Sequence, residues 1–361
     1  MKYFLICGES SGDLYASLLV SEIKKNDPNA VFEYLGGDKT KQALRQDPVI
    51  HINNLAVMGF VEVVKKAGSV LRNLRLCKKA ILSFQPDIVI LIDYPGFNLR
   101  IAKFLNKHKF KSLYYVSPQI WAWRKSRISK IKKYIKTMCV ILPFEKDFYS
   151  SHGVNVDFVG HPLLEVFDYN KNFISTKNNI ALMPGSRKQE ISKILPVMLS
   201  VVPYFKDYQF YVLGLRSLGK EFYIKMIKDH GVKVIIDNKD KILQSSSAAL
   251  VASGTATLET AIFKTPQVVC YKANIITYYL AKWLIKVPFI SLVNLILNKE
   301  VVKELVQFDF NTLNLKKELG LMLEKSNRDR MISEYDNLIK LLGERGVSKK
   351  TANIIANILN Y

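Results

Sequence analysis

Two corners in the second half of the chain have the make-up of anion-binding turns. They are Met183-Pro184-Gly185-Ser186-Arg187-Lys188-Gln189-Glu190 and Ser253-Gly254-Thr255-Ala256-Thr257-Leu258-Glu259. Each follows a short apolar run, Ile180 to Leu182 and Ala248 to Val251, and each precedes a helical pattern. A glycine lets backbone amides close on a ligand, and a helix N-terminus favours negative charge. On neighbouring strands the two corners would hold a nucleotide diphosphate and its ribose. Arg187 suits a bidentate phosphate contact. Glu259, four residues after Thr255, either accepts from ribose hydroxyls or makes an exposed salt bridge. Gly185, Ser186, Glu190, Ser253, Gly254 and Thr255 complete the expected nucleotide side. Neither corner ends in Gly-Lys-Ser/Thr, and no three-glycine dinucleotide fingerprint occurs, so ATPase and dehydrogenase chemistry are not indicated.

The first half offers a different chemistry. Gly8-Glu9-Ser10-Ser11-Gly12-Asp13 follows the first apolar run and opens a helix. Its carboxylates would repel phosphate, so Glu9, Ser11 and Asp13 suit sugar hydroxyls on an acceptor; Asp13 has helix capping as its competing role. Asp93-Tyr94-Pro95-Gly96-Phe97-Asn98 follows the strongly apolar run Ile88 to Ile92. An acid leaving a buried strand is partly desolvated and more basic, which makes Asp93 the candidate general base. The alternative is a turn carboxylate ahead of a proline-initiated helix. Asn98 falls on the same acceptor side. Ser117 to Arg124 holds two of the three tryptophans, and Trp121 is taken as acceptor-side.

Seven basic residues lie within the thirteen from Arg124 to Lys136, with Ile128, Ile131, Tyr134 and Ile135 at helical spacing. From Arg100 to Lys136 there are twelve Lys or Arg and no acid. Such a one-signed face suits anionic lipid, with Arg124, Lys125, Arg127, Lys130, Lys132 and Lys133 in contact. Met58 and Phe60, in Val57 to Val61, either join that contact or belong to the core.

These residues need strand ends to carry them, and the pattern supplies strands. Apolar runs alternate with helical segments: strand 2–7, helix 13–25, strand 31–35, helix 71–84, strand 88–92, helix 98–107, strand 112–116. The second half repeats the rhythm: strand 180–183, helix 189–202, strand 209–213, helix 219–230, strand 232–236, helix 240–246, strand 248–251, helix 255–263, strand 267–271. This predicts an α/β protein of two Rossmann-like lobes facing a central cleft. The expected divisions are an acceptor and membrane lobe 1–167, a polar linker 168–179, a nucleotide lobe 180–345 and a C-terminal helix 346–361 returning to the first lobe. Length agrees with two domains: 361 residues exceed one typical core. The formal charge of +22 calls for an anionic partner.

The four cysteines are widely spaced, which fits a reducing compartment and no structural metal. The five histidines are scattered and no Asp-x-Asp occurs, so no metal or other cofactor is expected. His161 is read as a hinge-loop residue. No signal peptide is indicated, and the expected location is cytoplasmic. Lys282, Lys286 and Pro288 interrupt the apolar stretch Ile275 to Leu297, which argues against a spanning helix. A core helix with a buried loop, or an interfacial contact, accounts for that stretch.

Taken in order, Gly8 to Asp13, Met58-Gly59, Asp93 to Asn98, Ser117 to Arg124, Leu142 to Glu145, Gly160 to Pro162, Pro184 to Glu190, Ser253 to Glu259, Ser291 to Asn294 and Lys303 to Leu305 resemble the lipid-A-disaccharide synthase family over residues 1–308. The resemblance implies a GT-B glycosyltransferase, metal-independent and peripheral on the cytoplasmic face of the inner membrane. It would transfer 2,3-diacylglucosamine from its UDP derivative to 2,3-diacylglucosamine 1-phosphate. It also implies Asp93 as base, with Arg187, Glu259 and Asn294 on the UDP side. Two departures stand out: Val293 where the family often has proline, expected to loosen the Asn294 loop, and Gly96 where it often has a second acid. The rivals are another UDP-sugar GT-B enzyme, an epimerase or soluble-acceptor transferase, and a basic nucleic-acid-binding protein. Long apolar strands and localised nucleotide corners argue against the last, so no nucleic-acid partner is expected.

Overall fold

The computed structural model describes residues 1–55, 67–123, 127–167, 178–228, 230–275, 278–279 and 287–360. The chain forms two compact units, Met1–Glu165 with Leu342–Tyr361, and Val166–Leu341. Leu342 to Arg345, expected in the second lobe, therefore cluster with the first. Asn179, expected at the end of the linker, opens a strand, and residues 168–177 of that linker lie outside the described residues.

Unit 1 holds a parallel sheet of β1 (Lys2–Ile6), β2 (Val31–Gly36), β3 (Ile50–His51), β4 (Ile88–Ile92), β5 (Ser112–Tyr115), β6 (Thr137–Val140) and β7 (Asp157–Phe158). Its order is β3-β2-β1-β4-β5-β6-β7. All five residues of β4 are buried, as a strand covered by helices on both faces requires, so its sequence runs apolar without alternation. Phe4, Ile6, Val89, Leu91 and Tyr114 join Phe97, Ile101 and Ile131 in one core.

Unit 2 holds β8 (Asn179–Met183), β9 (Gln209–Leu213), β10 (Lys233–Ile235), β11 (Ala248–Ala252), β12 (Gln267–Tyr271) and β13 (Lys303–Val306), ordered β10-β9-β8-β11-β12-β13 and likewise parallel. In each sheet the order reverses at the first strand of its unit, between β1 and β4 and between β8 and β11. That reversal is the switch point where loops at the carboxyl ends splay apart and leave a crevice for ligands.

The returning helix Val347–Leu359 packs on helix Ser10–Asn26 within unit 1. Its start is capped from a distance: Glu165 Oε1 accepts the Ser348 amide at 2.9 Å, and Oε2 accepts the Ser348 hydroxyl at 2.6 Å. The His161 amide donates to the Leu342 carbonyl at 2.9 Å. The His161 ring is buried against the edge of Tyr15, and burial pushes its pKa down to about 3. It is a neutral packing residue at the clasp.

Four strands were not anticipated: β3, β6, β7 and β13. The first and third have two residues each, β6 follows the basic helix without a turn signal, and β13 carries Lys303 and Glu304. The helix expected over 219–230 is shorter, a 3-10 turn Arg216–Leu218 followed by Lys220–Ile224.

Candidate active site

The loops after β1 and β4 flank the first switch point. Asp93 and Tyr94 both have positive φ, 46° and 49°, so the chain turns sharply as it leaves β4. Consecutive left-handed residues with side chains are costly and persist only where the surroundings enforce them. Here Asn98 Nδ2 donates to the carbonyls of Asp93 at 2.8 Å, Ile92 at 3.2 Å and Ile6 at 3.4 Å, stitching the ends of β1 and β4 together. The Tyr114 hydroxyl donates to the Asp93 carbonyl at 2.6 Å. The Tyr94 ring lies over Gly8, where a Cβ would collide with it, and its hydroxyl reaches the Leu55 carbonyl at 2.8 Å.

This packing leaves the Asp93 side chain part-exposed but surrounded. Burial foremost, then the charge of Glu9 and more weakly that of Glu145, push its carboxyl from 3.8 up to about 7. A carboxyl poised there exchanges its proton near neutrality, the property a general base needs.

Glu9 and Ser11 are part-exposed beside this turn. Asp13 and Asn98, expected to face an acceptor, do not. Asp13 is 3% exposed. Its Oδ1 accepts from the Gly37 amide at 2.7 Å, the Thr40 amide at 3.2 Å and the Thr40 hydroxyl at 2.6 Å; Oδ2 accepts from the Lys39 amide at 2.9 Å. It caps helix Asp38–Leu44 from a neighbouring element, not the helix it belongs to. Asn98 is fully buried, and its Nδ2 is spent on the three carbonyls above.

Trp121 sits in the short helix Ile120–Trp123 that follows β5, the neighbour of β4. It is part-exposed, its ring edge-on to Phe144 with centroids 4.9 Å apart. Its indole Nε1 donates to Glu145 Oε1 at 3.1 Å, and the Ser117 hydroxyl donates to the same oxygen at 2.6 Å. Glu145 Oε2 accepts the Ile141 and Leu142 amides at 3.2 and 3.0 Å. Sequence reasoning gave Glu145 no role. Its signal was available: Glu at the third position after Leu142-Pro143 is capping spacing.

The nucleotide corners flank the second switch point, after β8 and β11. Gly185 has φ 117°, and a Cβ there would overlap the Glu190 carboxylate. Glu190 Oε2 accepts the Ser186 amide at 2.9 Å, so this acid is turned back onto the corner and braces it from inside. Arg187 is exposed at the start of helix Lys188–Leu199. Gly254, φ 149°, precedes helix Thr255–Ile262, and Glu259 is part-exposed on it. The Ser253 hydroxyl donates to the Ile290 carbonyl at 2.9 Å, tying this corner to the next segment.

Asn294 is corrected from ligand contact to scaffold. It is fully buried. Nδ2 donates to the Val302 carbonyl at 2.8 Å and to Glu304 Oε1 at 2.9 Å, while Oδ1 accepts the Val301 and Val302 amides at 2.8 and 3.0 Å. Glu304, within the Glu300 to Gln307 stretch read from sequence as rim of the cleft, accepts the Ile290 and Ser291 amides, both at 2.9 Å. The segment expected to be loosened by Val293 is instead the capped start of helix Leu292–Leu297, with Val293 buried and the Asn294 amide on Ser291 Oγ.

On the expected lipid face, helix Ile128–Tyr134 turns Ile131 inward and exposes Lys130, Lys132 and Lys133; Arg127 immediately precedes it, part-exposed. Met58, Phe60, Arg124 and Lys125 lie outside the described residues. Among the described residues no group of three or more His, Cys, Asp or Glu could hold a metal ion. Among them also, no helix is long and apolar enough to cross a membrane.

The model of the Lipid-A-disaccharide synthetase family matches residues 3–358, reaching beyond the 1–308 spanned by the motifs. The lipid-A-disaccharide synthase of Syntrophus aciditrophicus is 36% identical over 365 residues, 96% of this chain and 95% of that protein. That of Coxiella burnetii is 36% identical over 369 residues, 98% of each. Among solved structures, UDP-GlcNAc 2-epimerase from Neisseria meningitidis bound to UDP-GlcNAc superposes with TM-score 0.67 at 12% identity, over 99% of this chain and 100% of that one. A calicheamicin glycosyltransferase gives 0.61 at 13% identity, over 99% and 98%. At these identities the structures speak to the fold alone, two Rossmann-like lobes of the GT-B type.

Proposed function

This chain belongs to the lipid-A-disaccharide synthase family, and on that premise we propose how the two switch points of a lipid A glycosyltransferase divide the work. The donor is UDP-2,3-diacylglucosamine and the acceptor 2,3-diacylglucosamine 1-phosphate. The products are UDP and the β-1′,6-linked disaccharide 1-phosphate.

The observation that carries this reading is Asp93, held on a strained turn with its carboxyl near 7. It takes the proton of the acceptor 6-hydroxyl as that oxygen attacks the anomeric carbon opposite UDP, so the configuration inverts in one displacement. The leaving diphosphate departs with its charge and needs no acid. The Gly185 backbone amide, the Arg187 guanidinium and the start of helix Lys188–Leu199 stabilise that charge, and Glu259 accepts from the ribose. Glu9, Ser11 and Trp121 meet the acceptor sugar. Arg127, Lys130, Lys132 and Lys133 rest on anionic lipid at the cytoplasmic face of the inner membrane, with Met58, Phe60, Arg124 and Lys125 as their companions in sequence.

The test is incubation with both diacylated substrates in mixed micelles containing EDTA, followed by mass analysis. Disaccharide 1-phosphate and UDP should appear in equal amounts. Release of UDP without disaccharide, epimerisation of the donor, or activity restored only by Mg²⁺ would refute the reading.

A further inference from the structure

We infer that Glu145 is a positioning residue for the acceptor sugar: its buried carboxylate clamps the Ser117–Trp121 loop to the start of helix Pro143–Ser151 and fixes the Trp121 ring at the strand end next to Asp93. This rests on the acceptor-side reading proposed above.

The clamp is unusually complete for one side chain. Glu145 is 1% exposed, and its oxygens accept from four donors on two segments of chain. Three of these, the Trp121 indole and the Ile141 and Leu142 amides, can only donate. The site is therefore built for the ionised carboxylate, which makes each bond charge-assisted. Burial raises its pKa, and these same donors pull it back. Tyr149, on the same helix, closes the loop from the other end by donating to the Pro118 carbonyl at 3.0 Å. What remains presented is one part-exposed indole, wedged by Phe144, which an apolar sugar face can cover.

The clamp also places a negative charge behind the base. The groups facing Asp93 are Glu9 from the loop after β1, Glu145 from helix Pro143–Ser151, the Tyr114 hydroxyl from β5 and the Cys7 thiol at the end of β1. Burial keeps Tyr114 and Cys7 protonated, so Glu9 and Glu145 are the two that add charge. Both raise the Asp93 carboxyl.

Glu145→Gln separates the functions of the clamp. The amide oxygen can still accept from Ile141 and Leu142 if the NH₂ turns toward Ser117, whose hydroxyl can accept. The Trp121 indole then loses its acceptor. The experiment compares wild type, Glu145→Gln and Trp121→Phe in the full chain. Indole N–H signals are followed by NMR, alongside acceptor KM, kcat, UDP affinity and the pH dependence of kcat/KM.

In Glu145→Gln the Trp121 indole signal should shift and exchange about tenfold faster, the loss of one good hydrogen bond. Acceptor KM should rise about tenfold with UDP affinity unchanged, and the acid limb of kcat/KM should move to lower pH. Trp121→Phe should raise acceptor KM and leave that limb in place. Wild-type indole exchange together with wild-type acceptor KM in Glu145→Gln would overturn the clamp. A KM change with an unmoved acid limb would overturn its charge role. If Glu145→Gln does not fold, Trp121→Phe and Ser117→Ala remove the loop side alone, and unchanged acceptor KM in both overturns the inference. If wild type makes no disaccharide, the proposed reaction fails, and the indole exchange by itself upholds or overturns the clamp.

Discussion

Replacing Asp93 by Asn should slow turnover sharply and make the protein more stable, increasingly so as the pH rises. The carboxyl rises from 3.8 to about 7 on folding because burial and two neighbouring carboxylates disfavour its charge. The folded state therefore binds the proton more tightly than the unfolded chain, and stability is lost as pH rises from the unfolded value through the folded one. Linkage with these two values sets the penalty at about 2 kcal/mol near pH 5.5 and about 4 kcal/mol near pH 8. Water reaching this part-exposed side chain trims both figures. Asn carries no charge, keeps an oxygen for the Tyr94 amide and escapes the penalty. Urea unfolding of unit 1, followed at both pH values, should show Asn gaining stability over Asp, with the larger gain at the higher pH. Product formation should fall by about 10²–10⁴, the usual worth of a general base. An equal stability change at both pH values, or destabilisation at the higher one, would refute the argument that Asp93 is charged against its surroundings. Unchanged turnover would remove it as base.

Arg187→Ala should weaken UDP binding by about tenfold to a hundredfold, the range of a charge-assisted bond, with calorimetry as the check. Neutralising Lys130, Lys132 and Lys133 together should lower affinity for anionic vesicles by about 3 kcal/mol at low salt while UDP affinity holds; vesicle sedimentation against calorimetry separates the two. Asn294→Ala should destabilise unit 2 by about 2–4 kcal/mol, since it strands buried amides and a carbonyl; denaturant unfolding measures this, and a loss of UDP affinity without a loss of stability would contradict the scaffold role.

The alternation of apolar and helical runs made both sheets legible, because parallel strands buried on two faces show as uninterrupted blocks such as Ile88 to Ile92. Short strands escaped: Ile50–His51 and Asp157–Phe158 are too brief to carry any period, and Lys303–Val306 is an edge strand with charged residues. Asp93, Gly185 and Gly254 could be picked out because strand end and turn chemistry coincide at one place in sequence. Asp13, Asn98 and Asn294 could not be judged that way. Their partners, Thr40, Ile6 and Val302 among them, are brought near by the fold. A polar residue at a strand end looks the same in sequence whether its hydrogen bonds await a ligand or are filled by distant backbone. Glu145 shows the converse. Its capping position was visible, but its hold on Trp121 crosses from one βα connection to the next.

The clasp formed by Glu165, Ser348 and His161 also bears on how the chain matures. Unit 2 is one continuous stretch, whereas unit 1 is split around it. Helix Ser10–Asn26 emerges from the ribosome before unit 2, yet the helix that covers it, Val347–Leu359, is made only after unit 2. The usual order, in which the earlier domain settles first during synthesis, is thereby reversed for final closure. The first-made unit must keep an apolar flank uncovered while the whole of the second is translated.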